Sequence, residues 1–406
     1  MEPLRVLELY SGIGGMHCAL TESLIPAEVV AAVDINTTAN QIYRHNFPHT
    51  PLWNKTIEGV TLDDFNKLSF DMLLMSPPCQ PFTRLGLHGD VADARTKSFL
   101  YILDLLPRLS RPPRFILLEN VKGFENSAAR NRLVETLIKC GFTFQELMIS
   151  PISVGIPNSR LRYYLIAQRS DQSDRSDQQC DRSEQSDQCA PPCPATHSAK
   201  EVLRHDFLYK RETENNLLRK MSQDCDSSVR QIKHFLEPLS QVDEDQHRLP
   251  AQTLLRYAAI LDIVQPDSRR SICFTRGYRR YVEGTGSVLQ SCTDTQLQCV
   301  FKDLDQRSED EKLQQLQRLK LRYFTPREVA NLMGFPAHFS FPKPVSVKQQ
   351  YRVLGNSLNV LVVSKLLRLL VVPSAHWRNE EHFGMKLLTE TGQRTAESDG
   401  AMFISK

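Results

Sequence analysis

Apolar positions along this chain fall into short continuous runs separated by turn residues and helical patterns. Leu4-Arg5-Val6-Leu7-Glu8-Leu9 runs into Tyr10-Ser11-Gly12-Ile13-Gly14-Gly15 and then into a helix-like stretch from Met16 to Ser23. Val29 to Val33 is a second run, capped by Asp34, and Phe70 to Met75 a third. Arg114 to Leu118 ends in Glu119-Asn120-Val121, and Tyr163 to Ala167 follows Arg160-Leu161-Arg162. Brief apolar runs bounded by turn signals read as strands buried on both faces. The pattern predicts an α/β fold: a mostly parallel, twisted sheet with helices on both faces.

Beyond these strands the pattern changes. From Ser170 to about Ser198 the chain is nearly all Ser, Asp, Gln and Arg. Such a stretch cannot bury enough surface to offset its own ordering entropy, which predicts a disordered insertion. Glu201 to Leu239 has helical spacing, and Leu254 to Ile263 reads as a short amphipathic helix. Thr325 is a good N-cap, with Pro326 at the first helical position and Glu328 three residues on. These changes of pattern divide the chain into a strand-rich region at 1–168, the insertion at 169–200, a region at 201–320, a further region at 321–371 and a tail at 372–406 with no assigned role.

Composition narrows the classes. A chain of 406 residues with ordinary apolar content can bury a full α/β core and one smaller appended domain. Its formal net charge of +3 neither requires nor excludes nucleic acid, because a local patch matters more than the sum. A core strand beginning at Leu4 leaves no room for a signal peptide, and no segment reads as long enough to span a membrane. These features predict a soluble intracellular protein, cytoplasmic in the first place and nuclear in the second. Ten cysteines without paired spacing suggest reduced thiols. Cys189 and Cys193 have no matching pair at ligand spacing, so no metal is expected.

The candidate chemistry sits where strands end. Ser76-Pro77-Pro78-Cys79-Gln80-Pro81-Phe82 places a cysteine in a rigid turn directly after a buried strand. An isolated Cys is most often a packed core residue. Here two prolines fix φ and aim the thiol, which points to a nucleophile. Glu119 closes the next parallel strand, so both side chains belong at the carboxyl edge of the sheet, where open α/β sheets build their sites. At the first strand the glycines let backbone approach a ligand, and the helix that follows offers free N–H groups. Asp34, about twenty residues past that loop, is placed to accept hydrogen bonds from ribose hydroxyls.

In order, the Ser11-Gly12-Ile13-Gly14-Gly15 loop, Asp34, Pro77-Pro78-Cys79-Gln80, Glu119-Asn120-Val121, Arg160-Leu161-Arg162, Thr325-Pro326-Arg327-Glu328 and Gly355-Asn356-Ser357 resemble the motifs of the cytosine carbon-5 methyltransferases. The block Cys273-Phe274-Thr275-Arg276-Gly277-Tyr278, followed by Tyr281 and Gly284-Thr285-Gly286-Ser287, is similar to the signature of the tRNA-directed branch. The resemblance implies a Rossmann-like class I S-adenosylmethionine-dependent methyltransferase with a small inserted target-recognition domain: 1–168 is the catalytic domain with Val6 to Leu9 central in its sheet, 201–320 the target-recognition region, and 321–371 the returning part of the catalytic domain. It makes Cys79 the attacker of cytosine carbon-6, Glu119 the acid at ring nitrogen 3, and Arg160 with Arg162 the groups that orient the base and favour the thiolate. It places Ile13, Gly14 and Gly15 at the methionine part of S-adenosyl-L-methionine, Asp34 at the ribose, Ile57 and Glu58 at the adenine, and Ser76 with Ser357 on the remaining walls. Two positions depart from the family pattern. Lys55-Thr56-Ile57-Glu58 lacks the aspartate many DNA-directed relatives carry, and Asn158 stands where a glutamine is common.

For the substrate, the resemblance implies tRNA, with methylation of nucleotide thirty-eight in the anticodon loop of tRNA-Asp. Arg269, Arg270, Arg276, Arg279 and Arg280 are interleaved with Phe274, Tyr278 and Tyr281, and arginines on phosphates with aromatic faces on unpaired bases suit a loop. Cys273, Phe274, Thr275, Tyr278 and Arg279 are the expected substrate contacts. DNA, weakly bound, is the alternative substrate, and a nucleic-acid-binding protein with little catalysis is the alternative of another class. No protein partner is assigned.

Overall fold

A computed structural model describes residues 2–78, 96–169, 208–209, 223–238, 243–292 and 294–371. Its main sheet contains β1 (Leu4–Leu9), β2 (Ala27–Val33), β3 (Leu52–Trp53), β4 (Met72–Met75), β5 (Phe115–Val121), β6 (Phe142–Ile149), β7 (Arg162–Arg169) and β8 (Leu208–Tyr209). Their order is β3-β2-β1-β4-β5-β7-β6-β8. β1 pairs in parallel with β2 and β4, as the sequence pattern predicts, and β4 in parallel with β5. β7 runs antiparallel between β5 and β6.

Alternate side chains of the same strands enter two cores. Val6, Leu74, Leu117 and Ile166 face α1 (Gly15–Ser23), α2 (Thr37–Asn46) and the helix Val360–Val371. Leu7, Leu9, Leu73, Ile116, Leu118 and Leu165 face α3 (Leu62–Leu68), α4 (Lys97–Leu105) and α5 (Ala128–Lys139). Burial on both faces is what turns these strands into continuous apolar runs.

A smaller sheet holds β9 (Ile263–Val264), β10 (Val288–Gln290) and β11 (Leu321–Tyr323) in the order β11-β10-β9. Its core is continuous with that of the first face, through Phe274, Tyr278, Phe324 and Tyr351. The two regions are further tied where Ser159 bridges Ile272. Thr325 and Glu328 form the expected capping box at the head of the helix Pro326–Leu332.

Three expectations change. The helix expected over Leu254 to Ile263 runs instead from Ala251 to Tyr257. Asp262 accepts from Ser287 Oγ at 2.6 Å and pairs with Arg270 at 2.8 Å, which draws the following residues into β9. Of Glu201 to Leu239, the described parts contain β8 and a short 3-10 turn at Ile232–Phe235, with no long helix among them. The stretch Val347–Val371 does have the length and apolarity of a membrane span, yet most of it is buried. It consists of the helices Val347–Gly355 and Val360–Val371; the second packs on α1, where Arg368 donates to the carbonyls of Glu22 and Ser23.

Candidate active site

The carboxyl edge of β1 turns sharply. Tyr10 takes a left-handed backbone conformation, with φ of 57°, that is uncommon for a residue with a side chain. It is held from two sides: its hydroxyl bonds Ser98 Oγ at 3.0 Å, and its carbonyl accepts from Ser76 Oγ at 3.2 Å. Beyond it Gly12, with φ of 53°, donates its amide to Asp34 Oδ2 at 2.8 Å, while the Asn36 amide donates to Asp34 Oδ1 at 2.7 Å. Burial raises the pKa of Asp34 above its usual value, against these amide hydrogen bonds. A Cβ at Gly12 would meet no protein atom nearer than the Tyr10 carbonyl, 4.0 Å away, so the backbone here lies open.

This loop borders a cleft of about 250 Å³. Asp34, Ile35 and Asn36 line one part, Ser76, Pro78 and Glu119 another, and Asn356, Ser357 and Leu358 close it from the far end of the chain. Gly15 permits that closure, since a Cβ there would come within 3.0 Å of Ser357 Oγ. Beneath the loop, Glu8 is fully buried and accepts a 2.8 Å hydrogen bond from the Tyr43 hydroxyl. Burial outweighs that bond and pushes its carboxyl up to about 8.

At the Glu119 end, the antiparallel register sets Glu119 opposite Tyr164 and Val121 opposite Arg162. Residues two apart on neighbouring strands share a face, and Arg162 Nε lies 3.5 Å from Glu119 Oε1. Burial holds the Glu119 carboxyl above the ordinary carboxylate range, although Arg162 and Arg160 pull the other way. Cys273 Sγ stands 3.4 Å from Arg160 Nη1 and 3.8 Å from Arg162 Nη2. Burial pushes that thiol up, but the two guanidinium charges outweigh it and the thiol is more acidic than usual. Asn120, fully buried, donates to the Pro77 carbonyl at 3.4 Å and so ties the Pro-Pro turn to β5.

The fold thus brings Ile13, Gly15, Asp34, Ser76, Glu119 and Ser357 to one cleft. Cys79, the expected nucleophile, lies outside the described residues, as do Cys189 and Cys193. Ile57 is buried in the second core and Glu58 is exposed on the turn Ile57–Gly59; neither lines the cleft, whose corresponding wall is Ile35 and Asn36. Gly14 also stands off it, its role being contact: a Cβ there would lie 2.4 Å from the Phe47 ring.

Arg160 ends in a nest of main-chain carbonyls, those of Phe274, Gly355 and Ser357, and is 4% exposed. Asn158 is likewise occupied, donating to Ser271 Oγ and the Ile272 carbonyl at 3.0 Å each. Phe274 and Tyr278 require a correction. Both rings are buried, edge-on to one another and to Phe324, Tyr323 and Tyr351, so their faces belong to the core instead of to a base. Thr275 Oγ1 accepts from the Gly277 amide at 3.2 Å, and Arg279 donates to the Gln246 carbonyl at 2.9 Å. Exposed in this block are Arg276, Arg279, Arg280 and Tyr281, with Arg280 lying 5.1 Å from the Tyr281 ring centre.

Comparison with known proteins agrees with this arrangement. The family model described as C-5 cytosine-specific DNA methylase matches residues 4–371. A Bos taurus protein named tRNA (cytosine(38)-C(5))-methyltransferase is 54% identical over 91% of this chain and 100% of its own length. Its Homo sapiens counterpart of the same name is 53% identical with the same coverage. The crystal structure of a Spodoptera frugiperda DNMT2 mutant superposes with a TM-score of 0.72 at 40% identity, covering 90% of this chain and 99% of that one. By sequence, by fold and by the residues gathered at its cleft, the chain belongs to the C-5 cytosine-specific DNA methylase family.

Proposed function

We propose that this protein methylates carbon-5 of a cytosine at position 38 of tRNA, in the anticodon loop of tRNA-Asp. The observation that carries the reading is that Asp34 and Glu119 line one cleft together with Pro78, the residue before Cys79. One carboxylate serves a nucleoside cofactor and the other a base.

S-adenosyl-L-methionine supplies, when bound, a methyl group on a sulfonium. The residues present fit it: the open backbone at Gly12, the amide-tethered carboxylate of Asp34, and Ile35 and Ser357 on the walls. Carbon-5 of cytosine is a poor nucleophile, so the chain must first activate the ring. The Cys79 thiolate adds to carbon-6, and the displaced electron pair makes carbon-5 nucleophilic. Glu119, whose raised proton affinity keeps it protonated to higher pH, donates at ring nitrogen 3 and neutralises the charge that develops there. Arg162 fixes the Glu119 carboxyl from the side. Once carbon-5 carries the methyl group, its proton passes to solvent water, the Cys79 sulfur leaves as the thiolate, and ring nitrogen 3 returns its proton to Glu119, which restores the ring. Arg276, Arg279, Arg280 and Tyr281 supply cations and one aromatic face to the RNA. A loop base is already partly unstacked, which lowers the cost of drawing it into the pocket.

The test is methyl transfer from labelled S-adenosylmethionine to three substrates: tRNA-Asp transcript, the same transcript with the target cytosine replaced by uridine, and duplex DNA. Transfer to the first alone is expected. Comparable transfer to DNA would replace this reading with the DNA one.

A further inference from the structure

Two segments far apart in sequence meet at Arg160. Nη1 donates to the Phe274 carbonyl at 3.0 Å and lies 3.4 Å from Cys273 Sγ, while Nη2 donates to the Gly355 carbonyl at 3.2 Å and to the Ser357 carbonyl. The segments also touch backbone to backbone: a Cβ on Gly355 would fall 2.1 Å from the Arg276 amide nitrogen and 2.2 Å from the Thr275 carbonyl carbon. On one side of this junction the chain continues into the exposed Arg276, Arg279, Arg280 and Tyr281; on the other, Asn356 and Ser357 form a wall of the donor cleft. A guanidinium is planar and its donors are fixed in a fork, so it transmits a displacement of one acceptor group to the other. Its carbonyl partners are polar groups whose loss of a donor is costly when buried.

We propose that Arg160 is a positioning residue that couples the two substrates. Through it, RNA on the 276–281 surface sets the 355–357 wall of the donor cleft, and a ligand in the cleft sets the RNA surface in return. Coupling of two sites is reciprocal by thermodynamic necessity, so either direction reads it. The proposal rests on the tRNA reading above.

The experiment measures binding of S-adenosylhomocysteine to the full chain by calorimetry, without and with saturating tRNA-Asp transcript, alongside methyl transfer by the same preparation. In the native protein RNA is expected to tighten that binding by about 5- to 150-fold, the usual span of such couplings. Arg160→Lys keeps the charge and loses the fork; each ligand still binds alone, and the coupling factor falls towards one. Gly355→Ala keeps Arg160 and forces the two backbones apart, and it is expected to lower the factor as well. Native protein that methylates tRNA without any coupling overturns the proposal. So does Arg160→Lys with full coupling and lost turnover, which would make Arg160 a group acting directly on the base. Absence of methylation by the native protein would sink the tRNA reading itself, a separate result.

Discussion

Arg162 Nε lies 3.5 Å from Glu119 Oε1, on the face where β5 and β7 run antiparallel. The pair leaves the Glu119 carboxyl still above its ordinary range, because burial outweighs the nearby cations. A carboxyl so placed keeps its proton longer than a solvated one and is steered by a guanidinium that does not remove it.

Glu119→Gln keeps the shape and removes the transferable proton. Turnover is expected to fall by about 10²- to 10⁴-fold, the usual contribution of a positioned acid. S-adenosylhomocysteine affinity stays within about twofold, because donor binding needs no proton from this group. In the wild type the high-pH limb of the rate is a decline as Glu119 loses its proton, displaced upward from the ordinary carboxylate range. A native rate in the glutamine variant would remove Glu119 from the chemistry.

Asp34→Ala removes the acceptor for the Gly12 and Asn36 amides together with the cofactor contact. Hydrogen bonds to a charged group are worth about 1.5–3 kcal/mol, so S-adenosylhomocysteine affinity is expected to drop on the order of 10- to 100-fold. Calorimetric titration reads this directly, and unchanged affinity would place the cofactor elsewhere.

Glu8 makes stability depend on pH in a stated direction. Its folded carboxyl titrates at about 8 against an ordinary 4.5, so between these values the native state holds a proton that the unfolded chain has released. Stability from this group is therefore full below 4.5 and is lost as pH rises towards 8, by up to about 1.4 kcal/mol per pH unit. Glu8→Gln lacks that slope. Denaturant titrations of both proteins from pH 5 to 8 should show the wild type losing ground to the variant, and parallel profiles would refute the assignment.

Two tyrosines of one block should behave oppositely. Tyr278 is buried, donates to the Ser287 carbonyl at 2.7 Å and accepts from the Phe324 amide at 3.0 Å. Tyr278→Phe leaves both groups unpaired and should cost about 1–3 kcal/mol of stability with RNA affinity preserved. Tyr281 is 58% exposed, and Tyr281→Ala should weaken tRNA binding by about 1–3 kcal/mol while the melting temperature holds. Filter binding and thermal melts on the two variants separate the roles, and a reversed outcome would return Tyr278 to the substrate contacts.

Much of this was legible in the chain. The strands β1, β2, β4 and β5, the glycine turn after β1, Asp34 at the end of β2 and the capping box at Thr325 and Glu328 all follow from patterns a few residues long. Such patterns act through local backbone preferences and through strands whose two faces are both buried. Strand ends in turn put Glu119 at the carboxyl edge of the sheet, together with Cys79, which lies outside the described residues, because parallel strands carry their ends there.

Only the tertiary structure decided which way the remaining groups face. Phe274 and Tyr281 look alike as aromatics among arginines, yet one packs edge-on to Phe324 and Tyr278 while the other stays exposed. That choice is set by which neighbours complete a core, information held by residues far along the chain. Arg160 reads as a base-binding group from its motif, whereas its acceptors include the main-chain carbonyls of Phe274, Gly355 and Ser357. A carbonyl belongs to every residue and leaves no mark in the sequence, so a side chain's attachment to main chain emerges only when distant segments are folded together.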